Sequence, residues 1–167
     1  MPNAETFSVR PIGEFVQRFL VASKVSVDPF ARNRGWATHT NDINPSTSAQ
    51  YHQDAETFLG DLESRGIVAD LVLFDPPYSP RQVSEHYKAA GLAVSGDDTQ
   101  NGRLYRRVRN AIDRIAAPGA IVLSFGWQSV GMGINRGYEL FETMLVAHGG
   151  GHNDTICIAE RKLPLTN

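Results

Sequence analysis

An acid, two prolines and a tyrosine, Asp75-Pro76-Pro77-Tyr78, stand at the end of the apolar run ADLVLF. Proline has no N–H to give to a sheet ladder, so a strand must stop there. The stop is either a plain terminator with an acidic turn or the working end of a site, where an acid and a ring sit on stiff backbone. Three further acids stand at comparable places: Asp28 in DPF, Asp42 in NDINP and Asp54 in QDA. Taken singly, Asp42 reads as well as an Asx turn before Pro45, and Asp54 as a helix N-cap. His148 and His152 are four residues apart in AHGGGHND, a spacing that suits a metal. The glycines between them and the lack of further ligands favour a hairpin turn instead, and no metal site is expected.

The elements that must carry these residues follow from periodicity. Ile12, Phe15, Val16 and Phe19 share one face of an N-terminal helix within residues 1–23. KVSVDPF reads as a first strand ending at Asp28-Pro29, and ATHT as a second, followed by the turn-rich NDINPSTS. Ala55, Phe58, Leu59 and Leu62 have helical spacing, with Asp54 at the N-cap position and Gly66 at the C-terminal glycine position. DLVLF is too apolar to alternate, as befits a central strand covered on both faces. Ser79 and Gln82 have capping-box spacing around Pro80, which predicts a helix to about Ala90, and AVSGDDTQNG reads as a polar loop. Leu104, Val108, Ala111, Ile112 and Ile115 form one stripe of a later helix, and AIVLSFG is another buried strand. YELFETMLVAHGGGHNDTICIAERK reads as two strands joined by a glycine-rich turn, hence antiparallel.

This order predicts one α/β domain over residues 1–167, a mostly parallel sheet ending in an antiparallel hairpin. Ligands of open α/β sheets sit beyond the carboxyl ends of the parallel strands, so the four acids should meet on one rim. Ser124, Phe125, Gly126 and Trp127, and beyond them Asn135 and Arg136, should lie on that rim too. Trp127 reads as core or as site, and Asn135 and Arg136 as contacts to phosphate or base. His148 would join the rim if the last parallel strand ends there.

Composition sets outer bounds. At 167 residues, 41% hydrophobic and 20% charged, the chain is an ordinary globular domain. No apolar run approaches the ~20 residues of a membrane span, and MPNAETFSVR lacks the pattern of a secretory signal. Cys157 is the only cysteine, so no internal disulfide is expected, and a cytoplasmic location is the default. The formal charge of −2 counts mildly against a nucleic-acid partner without excluding one. The cluster Arg103, Arg106, Arg107 and Arg109 reads as a solvated helix face.

The strand-ending Asp75 to Tyr78, with DPF, NDINP and QDA upstream in that order, resembles the N6-adenine DNA methyltransferases. Their motif is Asp or Asn, Pro, Pro, Tyr or Phe. The chain is also similar to short methylase-like proteins of phage and prophage sequences, and the likeness covers about Lys24 to Lys162. It implies a Rossmann-like, seven-stranded fold and S-adenosylmethionine as cofactor. Asp75 and the Pro76 carbonyl would accept hydrogen bonds from an exocyclic amino group, Pro77 would stiffen the turn and Tyr78 would stack on the flipped base. Asp28, Pro29, Phe30, Ala31 and Asn33 correspond to the donor loop, with Ala31 and Asn33 where the family carries Gly-x-Gly. Asp42 and Asn44 would serve the donor's ribose, Asp54 and Ala55 its adenine, and Asp75 would border it.

The resemblance further implies a nucleic-acid partner, DNA favoured over RNA. No segment matches the family's target-recognition domain, so recognition is expected from loops, a homodimer or a separate partner. Methylation of adenine N6 or guanine N2 in RNA, and a non-catalytic module that binds nucleic acid or donor, are the alternative readings.

Overall fold

The computed structural model describes residues 5–77, 101–150 and 153–164. The predicted helix from Pro80, the loop before residue 101, Tyr78 and His152 lie outside the described residues. A 3-10 turn, Thr6–Ser8, leads into α1 (Arg10–Leu20). Then come β1 (Ser26–Asp28), β2 (His39–Thr40), α2 (Ala55–Ser64) and β3 (Ala69–Phe74). After the gap follow α3 (Asn101–Ile115), β4 (Ala116–Gly126), β5 (Tyr138–Val146) and β6 (Thr155–Lys162). Among the described residues no helix is long and apolar enough to cross a membrane.

The strands form one sheet in the order β2-β1-β3-β4-β6-β5. The first four are mutually parallel, whereas β6 runs antiparallel to both β4 and β5, as the terminal hairpin requires. Because β5 is thereby parallel to β4, the carboxyl ends of β1 to β5 share one edge. Helices α2 and α3 cover one face, burying Phe58, Leu59, Leu62, Val108 and Ile112 against Val72, Phe74 and Val122. Helix α1 covers the other, with Ile12, Phe15 and Val16 against Leu71, Leu73, Leu123 and Phe125. Alternate residues of β3 and β4 feed the two cores, which is why neither strand alternates with polar residues.

The sheet of the described residues has six strands, not the expected seven. Beyond β2 there is only an isolated parallel bridge between Asn41 and Tyr51. The intervening backbone is curled by two successive Asx turns: the Asp42 carboxylate accepts from the Asn44 N–H (2.8 Å), and the Asn44 side chain from the Ser46 N–H (2.9 Å). Pro45 has no N–H, and α2 is capped by Asp54 three residues after Tyr51. No length remains there for a ladder.

Candidate active site

Three loops and one strand tip build the rim. Asn41, 1% exposed, stitches the loops together. Its side-chain N–H group donates to the carbonyls of Pro29 (3.1 Å) and Gln53 (3.0 Å), and its oxygen accepts from the Gln53 N–H (3.0 Å). Its backbone bonds to Asp28 and Ala31. Sequence reading passed over this residue, although a polar amide beside Asp42 at a strand end is the available signal.

Asp28 is fully buried, and its carboxyl accepts from the Phe30 N–H at 3.0 Å. Burial first, and then the charges of Asp75 and Asp42, push its pKa well above the ordinary carboxylate range. The three acids are thus close enough to sense one another. Asp42 is buried in its Asx turn, while Asp54 caps α2 by accepting from Glu56 (3.0 Å) and Thr57 (3.4 Å). Both bland local readings therefore hold, and both residues nonetheless face a cavity. It is a narrow cleft of about 30 Å³, partly open to solvent, between Pro29, Phe30, Asp42, Ile43, Asp54, Ala55 and Pro77. Gln53 also lines it, and its buried Oε1 has no hydrogen-bond partner among the described residues.

The loop after β1 places its left-handed residue between the two positions where the resembled family carries glycines. Neither Ala31 nor Asn33 adopts the left-handed conformation; Arg32 does, with φ +51°. Ala31 is buried with its N–H on the Asn41 carbonyl, and the exposed Asn33 side chain accepts from the Ser48 N–H at 3.0 Å, tying this loop to its neighbour. Both residues are thereby held in extended or right-handed backbone, and the turn falls on the residue between them. A left-handed non-glycine residue costs roughly 1 kcal/mol or more. Replacing Arg32 by glycine is expected to raise unfolding stability by up to about 1 kcal/mol, measured by urea denaturation.

Beyond β3, Asp75 is half-buried, Pro76 buried and Pro77 half-buried. The Tyr105 hydroxyl donates to the Pro77 carbonyl at 2.9 Å, and its ring packs edge-on against Phe74. Burial, with the Asp75 charge, raises the Tyr105 pKa to about 12, so it remains a donor at neutral pH. Helix α3 thus holds the strand tip in place. Pro76 lines a second cavity, of about 290 Å³, walled by Phe74, Tyr105, Arg109, Ser124, Phe125, Gly126 and Trp127. Adjacent residues of one tip border two cavities: Pro77 the acidic one, Pro76 the aromatic one.

Ser124 to Trp127 reach this rim as expected, and Trp127, 38% exposed, belongs to the cavity rather than the core. Two expectations fail. Asn135 and Arg136 precede β5, whose first residue, Tyr138, pairs with Lys162 at the end of β6. They therefore lie at the opposite edge of the sheet, where Arg136 donates to the Met132 carbonyl and the Asn110 side chain. The chain crosses the sheet face between Trp127 and Arg136, a reversal that periodicity could not register. Arg109 is likewise no part of a solvated face. Its guanidinium lies 5.7 and 5.6 Å from the ring centres of Phe74 and Tyr105 and donates to the Val130 carbonyl at 2.7 Å. The i, i+4 spacing of Tyr105 and Arg109 beside the apolar stripe was the overlooked signal. Arg107 and Arg114, by contrast, pair with Glu56 and Glu63 of α2. His148 bonds to Thr155 at 2.7 Å in the turn after β5, on the rim edge.

No protein-family model matches the chain, and no curated protein sequence matches it. Solved structures do. It is similar to the N-methyltransferase NodS of Bradyrhizobium japonicum WM9, in complex with S-adenosyl-L-homocysteine, with TM-score 0.58 and 8% identity over 96% of this chain and 89% of that one. SMU.776 complexed with SAH (TM-score 0.57, 9% identity, 88% of this chain) and NSun6 of Pyrococcus horikoshii with SFG (0.56, 16%, 88%) are similar as well. The chain spans about half of those two, 48% and 50% of their lengths. It shares the α/β fold of these solved structures. In that fold the edge carrying Asp28, Asp42 and Asp75 is the carboxyl edge of the parallel strands, where ligands of open α/β sheets bind.

Proposed function

We propose that the chain is an S-adenosylmethionine-dependent methyltransferase acting on an exocyclic amino group, namely adenine N6 in DNA. The observation that carries this reading is the division of labour at one strand tip, with an acid-lined cavity on the Pro77 side and an aromatic cavity on the Pro76 side. A group transfer needs two such sites meeting at one rigid point.

The acidic cavity suits the donor. Asp42 and Asp54 offer acceptors for hydroxyl and amino groups, Phe30, Ile43 and Ala55 offer apolar walls, and the orphaned Gln53 Oε1 asks for one more donor. The acidic lining at Asp42 and Asp54 favours a cationic ligand. When bound, S-adenosylmethionine supplies an electrophilic methyl group. The protein's part is to hold the acceptor amine. Its lone pair is delocalised into the ring, so two acceptors, the Asp75 carboxylate and the Pro76 carbonyl, would draw its hydrogens aside and stabilise the positive charge developing on nitrogen. The proton would leave to water after transfer.

The test is transfer of a labelled methyl group to DNA and to RNA, followed by nucleoside mass spectrometry. Label in N6-methyladenine of DNA alone supports the reading. Label in RNA only moves it to an RNA base, and absence of transfer with intact donor binding overturns it. Calorimetry with S-adenosylmethionine addresses the donor separately. Asp42→Ala is expected to weaken binding roughly 10- to 150-fold, since hydrogen bonds to a charged group contribute about 1.5–3 kcal/mol. Unchanged affinity would remove Asp42 from the donor site.

A further inference from the structure

Helix α3 carries five arginines and one acid, Asp113, in a chain whose formal charge is −2. The fold sorts these arginines by side. Toward α2, Arg107 and Arg114 pair with Glu56 (3.4 Å) and Glu63 (2.7 Å). Toward the aromatic cavity the charges are not neutralised in this way. Arg106, Arg109 and Arg136 form no ion pair among the described residues, and Asp113 is taken by Lys162 (2.9 Å) and the Tyr138 hydroxyl (3.0 Å). Arg109 and Arg136 donate instead to the backbone carbonyls of Val130 and Met132, which position a guanidinium without cancelling its charge. The two are near enough that the Arg136 charge, after burial, holds the Arg109 pKa below the ordinary arginine range. Like charges held together repel, and a bound anion relieves the repulsion.

These cations have an order. Gly102, Arg106 and Asn110 are spaced four residues apart and so share one row along α3. Gly102 lines the aromatic cavity at the rim, and Arg106, one turn further, is exposed. Asn110, another turn on, accepts from the Arg136 guanidinium at 3.1 Å. Two of the five N–H groups of Arg136 are thereby used and three are left over. Although Arg136 lies off the rim, it ends a row that starts at the cavity. Spaced cations leading away from an aromatic cavity suit a ligand whose anions are spaced along a chain of flat groups. That is the phosphodiester backbone of a nucleic-acid strand. Phosphate contacts position a strand without reading its sequence.

We propose that Arg106 and Arg136 bind backbone phosphates of the nucleic-acid strand whose base enters the aromatic cavity, which makes this row of α3 the strand-positioning surface. The inference rests on Asp75 and Pro76 being the methyl-accepting end of the site, and it adds the surface that holds the rest of the substrate.

The experiment titrates labelled single strands of DNA and of RNA, each in two unrelated sequences, with S-adenosylhomocysteine present. Fluorescence polarisation follows binding from about 50 to 200 mM salt. Arg106→Gln should reduce the slope of log affinity against log salt by about 0.7, the share of one phosphate on a single strand, equally for both sequences. Arg136→Gln should do the same, and the double variant should lose about 1.4. Arg107→Gln removes the same charge from the same helix, but from an existing ion pair, and should leave the slope unchanged. Arg106→Lys should keep the wild-type slope. Arg106 is exposed and makes no side-chain bond among the described residues, so its variants should melt like the wild type and carry the test if Arg136→Gln loosens the fold. An unchanged slope in Arg106→Gln, an equal fall in Arg107→Gln, or strands that do not bind at all would overturn the proposal. If the slope falls as expected and neither strand accepts a methyl group, the transferase reading fails and this one stands. If methyl transfer proceeds with unchanged slopes, this one fails and the transferase reading stands.

Discussion

Asp75→Ala is expected to lower methyl transfer by a factor of about 100 to 1,000, with the fold intact. The magnitude follows from removing one preorganised electrostatic partner of a charge that develops in the transition state, which costs about 2.7–4 kcal/mol where it has been measured. The prediction is specific because the rest of the tip is anchored independently of the carboxylate. The Pro76 and Pro77 rings fix their backbone, and the Tyr105 hydroxyl still holds the Pro77 carbonyl. The Pro76 carbonyl therefore keeps its position, and the variant isolates the acid. Donor affinity should change less than tenfold, because the donor cavity is walled by Pro77, Asp42 and Asp54. Asp75→Asn retains an acceptor oxygen and should keep much of the activity, in line with the Asp-or-Asn choice in the motif that this tip resembles. Single-turnover transfer of labelled methyl, with circular dichroism as the control for folding, reads both variants. Full transfer by Asp75→Ala would mean that the acid is only part of a turn.

The parts of this site that were legible in the sequence are those whose chemistry is local. A strand that ends on prolines, an acid at an N-cap position and an apolar stripe on α3 each leave a pattern within a few residues. Asp28, Asp42, Asp54 and Asp75 could be placed on one rim because each ends or begins an element whose direction is fixed by a parallel sheet. What escaped was set by long-range packing. Arg109 looks like any other arginine of its cluster until Phe74, 35 positions earlier, is brought beneath it. Arg32 could not be singled out from its neighbours, because the bonds that hold Ala31 and Asn33 come from Asn41 and Ser48. The seventh strand was expected from the family's plan, and two Asx turns, each a short-range feature, replaced it. Arg136 was misplaced by one sheet edge because the segment before it has no periodic pattern from which to read its path.

That segment is clamped by the most consequential residue that sequence reading overlooked. Glu160 is 3% exposed within β6, and its carboxylate oxygens accept from the backbone N–H groups of Met132 (2.6 Å) and Gly133 (2.8 Å). Glu160→Ala should leave both donors without that partner, the Met132 N–H in the core. At about 1–3 kcal/mol for each unsatisfied group, the loss of unfolding stability should be about 2–6 kcal/mol, a large fraction of a small domain's total. Glu160→Gln keeps one acceptor oxygen and should lose roughly half as much. Gly131 belongs to the same clamp. A Cβ there would lie 1.9 Å from Glu160 Oε2 and 2.6 Å from Ile158 Cδ1, so Gly131→Ala must displace the carboxylate and should destabilise comparably. Urea denaturation checks the series. The consequence for function is geometric: the clamped segment starts at Trp127, Gln128 and Val130, which wall the aromatic cavity, and Val130 supplies the carbonyl that fixes Arg109. Loosening the clamp should therefore weaken base binding even at temperatures where Glu160→Gln remains folded, while leaving donor affinity at the opposite cavity unchanged. Equal loss of both affinities would show instead that Glu160 supports the fold as a whole and not this wall in particular.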